Sequence, residues 1–271
     1  MVPSTPALRR PIAVLAVLLL LLGAAACSDD SPDGAGSTGG EEISGTVTVF
    51  AAASLTDVFT ALGQAFEEAH PEATVELGFG PSSGLVTQVT EGAPADVIAT
   101  AAEPDMEDLV DADVLAGAPV PFATNRLEIA VPPGNPAGVD GLDDLADEDL
   151  VVALCNEEVP CGRFARQALE GVAVEPSIDS DEEDVRALLT KVEAGEVDVG
   201  IVYETDVVAA GDAVEGIAIP ADQNVTATYP IATVGDTDHA AGAAAFVAFV
   251  LSDEGRVALA AAGFGAPPGA G

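Results

Sequence analysis

The chain has 271 residues, with eight Lys and Arg against 46 Asp and Glu, a formal net charge of −38. So acidic a balance excludes nucleic acid as a partner, because a phosphate backbone is held by a basic surface. The carboxylates are spread along the whole chain and there is a single lysine, which describes a surface adapted to high salt rather than an acidic tail.

Residues 1–26 read as a signal segment. Arg9 and Arg10 form a basic start, and Ile12 to Leu22 an apolar run too short for a comfortable membrane span. Gly23 to Ala26 then lead into Cys27. This resembles a bacterial lipoprotein signal, in which that cysteine is lipidated and becomes the first mature residue, although Ala24 stands where the pattern more often has Leu. Residues 27–45, rich in Ser, Asp and Gly, form a flexible tether. The folded part is therefore expected outside the cytoplasm, held to the outer face of the cell membrane. Without the signal, six Lys and Arg face 46 Asp and Glu, a formal net charge of −40. About 230 residues remain, enough for two lobes of ordinary size.

Beyond residue 45, short β-rich runs alternate with amphipathic helical ones, which predicts an α/β fold. The first strand, Val47–Phe50, runs through three alanines into Ser54, placed as the N-cap of a helix over Leu55–Ala69. Leu55, Val58, Phe59 and Leu62 give that helix one apolar face. A helix N-terminus offers unpaired N–H groups and a positive dipole end, both suited to an anion. A cap that serves only its own helix is the plainer reading of this site alone.

Strand Thr74–Phe79 meets a helix over Ser83–Glu91 at a second corner, Gly78 to Leu85. The glycines would let the backbone approach a ligand, and Ser82 and Ser83 add hydroxyl donors. No Lys follows, so this is not a Walker A loop. Gly80 to Gly84 does match G-x-S-x-G, with Asp206 and His239 downstream in hydrolase order. A secreted serine hydrolase using Ser82 is therefore the rival from another class, although no HGGG-type loop precedes the motif.

Strand Val97–Ala99, a helix over Glu103–Ala112, strand Leu127–Val131, a short helix over Leu142–Ala146 and strand Val151–Leu154 follow. The third corner is Glu158 to Phe164, where Pro160 suits a first helical turn and leaves the Cys161 N–H free. Its helix covers Arg163–Glu170. A fourth helix covers Glu183–Ala194, and its start is ambiguous. Ser180 with Glu183 forms a capping box that buries the Val185 N–H, whereas a start two or three residues later frees it. Strand Val199–Tyr203 ends in a phenol that reaches outward or closes the core edge. A helix over Thr205–Ala210, strands Gly216–Ile219 and Thr228–Val234, and helices Ala240–Leu251 and Asp253–Ala262 complete the chain.

There are three cysteines, and lipid on Cys27 leaves Cys155 and Cys161 as a pair. Outside the cytoplasm a local disulfide is the expected state, worth roughly 2–3 kcal/mol for so short a loop. His70 and His239 are isolated, so no protein-ligated metal is expected.

Six segments in this order, VFAAASLTDVF, FGPSSGLVTQV, GAPADV, EEVPCGRFARQAL, EEDVRALLTKVEAGEVDVGIVY and TYPIA, resemble the periplasmic molybdate-binding proteins of ABC transporters. The likeness covers Thr46 to Gly265. It implies the type II periplasmic-binding-protein fold: two lobes, each a mixed sheet flanked by helices, with two crossovers at a hinge. Residues 46–124 with 228–271 then form lobe one, and 125–227 lobe two. Position by position, the family's oxyanion contacts fall on Ser54, Ser82, Cys161, Val185 and Tyr203, with Ser83 as an extra donor. Cys161 stands where better-known members have Ala; a main-chain N–H survives that change, while a disulfide there could reshape the pocket rim. The resemblance further implies delivery to a membrane permease, a monomer, no cofactor, and molybdenum bound only as its oxyanion.

The donor chemistry agrees. Molybdate and tungstate are fully deprotonated near neutral pH, so their oxygens only accept hydrogen bonds, and a site of hydroxyl and amide donors complements them. Sulfate would use the same donors and is the alternative ligand. Phosphate, which keeps a proton, would call for an acceptor carboxylate. An iron(III) receptor would want clustered tyrosines, and the mature chain has Tyr203 and Tyr229 alone. The charge of −40 opposes an arriving dianion, but at 1 M salt the Debye length is about 3 Å and the repulsion is screened.

Overall fold

A computed structural model of the chain describes residues 43–269. The signal segment, Cys27 and the tether up to residue 42 lie outside the described residues. From residue 43 on, the alternating pattern is realised as an α/β structure built on one nine-stranded mixed sheet. In chain order, β1 (Gly45–Ala52) leads to α1 (Thr56–Ala69), β2 (Ala73–Gly80) to α2 (Ser82–Thr90), and β3 (Val97–Ala99) to α3 (Glu103–Asp111). The long β4 (Val120–Val131) follows. Then come β5 (Val152–Cys155), α4 (Pro160–Gly171), β6 (Ile178–Glu182), α5 (Val185–Glu193), β7 (Val199–Tyr203) and α6 (Glu204–Ala210). The chain closes with β8 (Glu215–Ala218), β9 (Thr226–Thr233), α7 (Ala240–Val250) and α8 (Asp253–Ala261).

The strand order is β2-β1-β3-β9-β4-β7-β5-β6, with β8 on the second side of β4. Pairs β1–β2, β1–β3, β5–β6 and β5–β7 are parallel, while β4 and β9 run antiparallel to their neighbours. β4 serves two sets of partners. Its residues up to Arg126 pair with β9, and from Leu127 on it pairs with β7 and β8. Parallel strands need crossover helices, and each of β1, β2, β5 and β6 runs into one at its carboxyl end. In open α/β sheets ligands bind outside those ends.

Burial follows the expected periodicity. Val58, Phe59, Leu62 and Phe66 are the buried face of α1. Phe59 lies between Phe122 and Phe246, with ring centroids at 5.8 and 6.2 Å, edge contacts that add roughly 0.5–1.5 kcal/mol each to area burial. A smaller apolar cluster, with Leu85, Ile98, Met106 and Leu109 among its members, sits beneath α2 and α3.

β6 is an element the sequence pattern misses. Its residues Ile178–Glu182 are mostly acidic and exposed in alternation, so they carry no apolar period. It is the last strand of the sheet, and a charged edge blunts pairing with other chains. At Gly78 the reason for glycine also differs from expectation. A Cβ there would lie 3.0 Å from the Phe50 ring, so the residue serves packing rather than approach of a ligand.

Candidate functional site

Ser54, Ser82, Cys161, Val185 and Tyr203 all line one small cavity of about 20 Å³, together with Ala53, Gly80 and Asp184. Each follows or ends a parallel strand: Ser54 after β1, Ser82 after β2, Cys161 after β5, Val185 after β6, and Tyr203 as the last residue of β7. The five are thus brought together from positions spread over 150 residues because β1 and β2 run one way and β5, β6 and β7 the opposite way, so that the carboxyl ends of the two sets face the same cavity. Ser83 is not among the lining residues. No Lys or Arg lines the cavity, and the Asp184 carboxylate is occupied by the N–H groups of Arg186 and Ala187, both at 2.9 Å.

Ser54 does not cap α1. A 3-10 turn over Ala53–Leu55 precedes that helix, no side chain caps it, and Ser54 Oγ lies 2.9 Å from Tyr229 Oη instead. Ser82 Oγ accepts from the Ala101 N–H at 3.0 Å, which leaves the serine proton for the cavity. Val185 is the first residue of α5, and Asp184 is the cap, so the later of the two helix starts is the observed one. Asp184 takes the next two N–H groups, and the Val185 N–H keeps no partner among the described residues. The Cys161 N–H, in the first turn of α4 directly after Pro160, is likewise free of protein partners among the described residues.

Tyr203 is 1% exposed, and its hydroxyl is the single buried side-chain polar atom without a partner among the described residues. Such groups are rare in folded proteins, since each costs about 1–3 kcal/mol. Burial, reinforced by Tyr229 and Asp206, holds its phenol well above the usual tyrosine range, so it stays a donor. Behind it Asp206, also 1% exposed, accepts from the Tyr203 N–H at 3.0 Å, and burial pushes its carboxyl up to about 7. Two ion pairs flank the cavity: Arg186 of α5 with Asp57 of α1 at 3.0 Å, and Arg163 of α4 with the buried Asp105 of α3. Burial raises the Asp105 carboxyl against the pull of Arg163.

Cys155 and Cys161 are disulfide-bonded, with Cα atoms 5.8 Å apart, and both are buried. The bridge ties the end of β5 to the first turn of α4 and thereby fixes the position of the Cys161 N–H. Labelling the unfolded, unreduced mature protein with a thiol reagent should find no reactive cysteine; two would overturn the pairing. Reduction should lower stability by roughly 2–3 kcal/mol.

The hydrolase constellation is not assembled. His239 lies 3.5 Å from Asp96 and lines a different cavity from Ser82, and Asp206 is turned to the Tyr203 backbone. That other cavity is larger, about 550 Å³, and contains Asp96, Asp113, Asp236 and His239. Asp96 there is already bonded to the Thr48 N–H and the Thr237 hydroxyl, and no orphaned donor faces it. Nor do the described residues hold a group of three or more His, Cys, Asp or Glu able to bind a metal.

The sequence profile of the bacterial extracellular solute-binding proteins matches residues 47–265. The molybdate-binding protein ModA of Mycobacterium tuberculosis H37Rv is 37% identical over 251 residues, covering 92% of this chain and 95% of that protein. Among solved structures, the periplasmic molybdate-binding protein of Azotobacter vinelandii superposes with a TM-score of 0.74 at 21% identity, over 82% of this chain and 99% of its own. The sulfate-binding protein SubI of M. tuberculosis H37Rv superposes with a TM-score of 0.72 at 23% identity, over 83% and 88%. These two likenesses show the fold, which serves different oxyanions in the two neighbours.

Proposed function

We propose that this chain, which belongs to the bacterial extracellular solute-binding protein family, captures molybdate or tungstate in the Ser54–Tyr203 cavity and delivers it to the permease of an ABC transporter. It is a binding protein and not an enzyme. The observation that carries the ligand class is the orphaned Tyr203 hydroxyl, a buried donor facing a cavity that offers further hydroxyl and N–H donors and whose one carboxylate, Asp184, is bonded to the backbone of its own helix. Only a guest made of acceptors satisfies such a site, and a fully deprotonated tetrahedral anion is that guest. Neutral dipoles do this without burying a positive charge, and charge-assisted N–H···O⁻ bonds are strong in a dry cavity. The name carried by the mycobacterial relative selects molybdate within the class.

In this reading residues 46–124 with 228–271 act as one lobe and 125–227 as the other. The change of partners at Arg126 and Leu127 of β4 supports a hinge there. Ser54 and Ser82 come from the first lobe and Cys161, Val185 and Tyr203 from the second, so the anion favours closure. The protein acts as a monomer without a cofactor, anchored through lipid on Cys27.

Calorimetric titration with molybdate, tungstate, sulfate and phosphate tests this directly. Micromolar or tighter binding of molybdate or tungstate is expected, with sulfate weaker and phosphate silent. Ser82→Ala leaves one anion oxygen unpaired and should cost about 1.5–3 kcal/mol, roughly ten- to hundredfold in affinity, and Tyr203→Phe a similar amount. Preference for sulfate would reassign the ligand. Unchanged affinity in both variants would mean that the anion is held elsewhere.

A further inference from the structure

We infer that Tyr229 and Asn125, neither of which lines the cavity, are positioning residues that make Ser54 an obligate donor and so tune the site to anions carrying no proton. The inference rests on the oxyanion reading of that cavity.

Tyr229 lies in β9, 175 residues from Ser54, and is fully buried. On distance alone either hydroxyl of the Ser54–Tyr229 contact could donate. Asn125 decides the direction. Its Oδ1 accepts from the Arg126 N–H at 3.0 Å, which turns Nδ2 toward Thr205 Oγ1 at 2.8 Å and Tyr229 Oη at 3.3 Å. An amide nitrogen donates and does not accept. The Tyr203 hydroxyl lies near Tyr229 but outside hydrogen-bonding geometry, so among the described residues the Tyr229 proton has one well-placed acceptor, Ser54 Oγ. In the opposite polarity Tyr229 Oη would accept from both Ser54 and Asn125, and its own proton would be left in the core without a well-placed acceptor. Ser54 thus accepts from behind, and its own proton is left for the cavity.

Ser82 is held in the same sense by a different atom, the Ala101 N–H. With Tyr203 unpartnered, all three hydroxyls around the cavity are then poised to donate. An anion that keeps a proton sets donor against donor. A free serine hydroxyl would rotate and accept that proton; one already accepting from Tyr229 is biased against doing so.

The test is a double-mutant cycle read by molybdate calorimetry, with thermal melts to confirm folding. Wild type must bind molybdate; if it binds none of the four oxyanions, the functional reading falls and this inference with it. Given wild-type binding, Tyr229→Phe should weaken molybdate about tenfold, and Ser54→Ala ten- to hundredfold. The double variant should be no weaker than Ser54→Ala alone beyond about twofold, because Tyr229 acts through the serine. Losses that multiply, or a Tyr229→Phe protein with wild-type affinity, overturn the relay. Should Tyr229→Phe fail to fold, Asn125→Asp carries the test. It replaces the Nδ2 donor by an acceptor, draws the tyrosine proton away from Ser54, and should weaken molybdate more than tenfold at pH 8. Wild-type affinity in that variant would equally overturn the relay.

Discussion

Asp206→Asn should flatten the dependence of stability on pH between about 4 and 7. The Asp206 carboxyl is raised from 3.8 to about 7 in the folded protein, chiefly by burial. Well below pH 4 it is protonated in both folded and unfolded chains and has no effect on their balance. As pH rises from 4 to 7 the unfolded chain releases this proton while the folded protein keeps it, so stability is lost across that window. A difference of about three pKa units corresponds to about 4 kcal/mol. Above pH 7 the penalty is constant. Asparagine keeps an oxygen for the Tyr203 N–H at the same place and cannot ionise. The measurement is denaturant unfolding of both proteins at pH 4, 5.5 and 7.5 in 1 M salt, where repulsion among the other carboxylates is screened and cancels in the comparison. The stability difference should move in favour of Asp206→Asn by about 4 kcal/mol from the lowest to the highest pH. Parallel curves would show that the carboxyl ionises normally and that its burial is relieved by some rearrangement. The effect reaches the site as well, because ionised Asp206 sits behind the Tyr203 backbone, so molybdate affinity should fall as pH rises beyond 7.

Gly162→Ala should be the most damaging single change near the cavity. Gly162 follows Cys161 in the first turn of α4, and a Cβ there would lie 1.9 Å from Asn156 O and 2.5 Å from Asn156 C and Cys155 O. All three are backbone atoms, so no side-chain rotation relieves the contact. Nor can that backbone drift. Cys155 is disulfide-bonded to Cys161, its carbonyl accepts from Arg166 at 2.7 Å, and Asn156 N donates to Glu182 O at 2.8 Å. Forcing in the methyl should cost about 3 kcal/mol and displace the Cys161 N–H from the cavity. Gly171→Ala, at the far end of the same helix, is the matched control, since a Cβ there meets nothing within 4 Å. It should change stability by about 0.5 kcal/mol or less. A Gly162→Ala protein with the wild-type denaturation midpoint and undiminished molybdate binding would show that the 155–162 turn is looser than its bonding implies.

Much of this protein is legible in its sequence because much of it is local. Each predicted strand has its counterpart, and the helix faces follow their apolar spacing, as Val58, Phe59, Leu62 and Phe66 do in α1. Secondary structure and corner chemistry depend on residues within a few positions of one another, so Pro160 opens α4 and Cys155 reaches Cys161 as expected. The corners at Ser54, Ser82, Cys161 and Val185 could be found singly. That they share a cavity followed only from the resemblance to a known family, since nothing in local spacing says which strands run side by side.

The tertiary structure decided what depends on distant partners. Ser54 looks like a helix cap from its neighbours, but Tyr229 takes its hydroxyl across 175 residues of chain. Two helix starts compete around Val185 on local grounds, and the strand Ile178–Glu182, whose acidic edge has no apolar period, fixes the later one. Asp206 and His239 stand in hydrolase order along the chain, yet the fold turns one to a backbone amide and the other to Asp96. The sequence by itself determined which elements form and which residues sit at their ends, because those follow from bonding over a few residues. The direction of each hydroxyl, the burial of Asp206 and the orphaned Tyr203 were decided by packing of segments far apart in the chain, where one contact overrides a local preference worth about 1 kcal/mol.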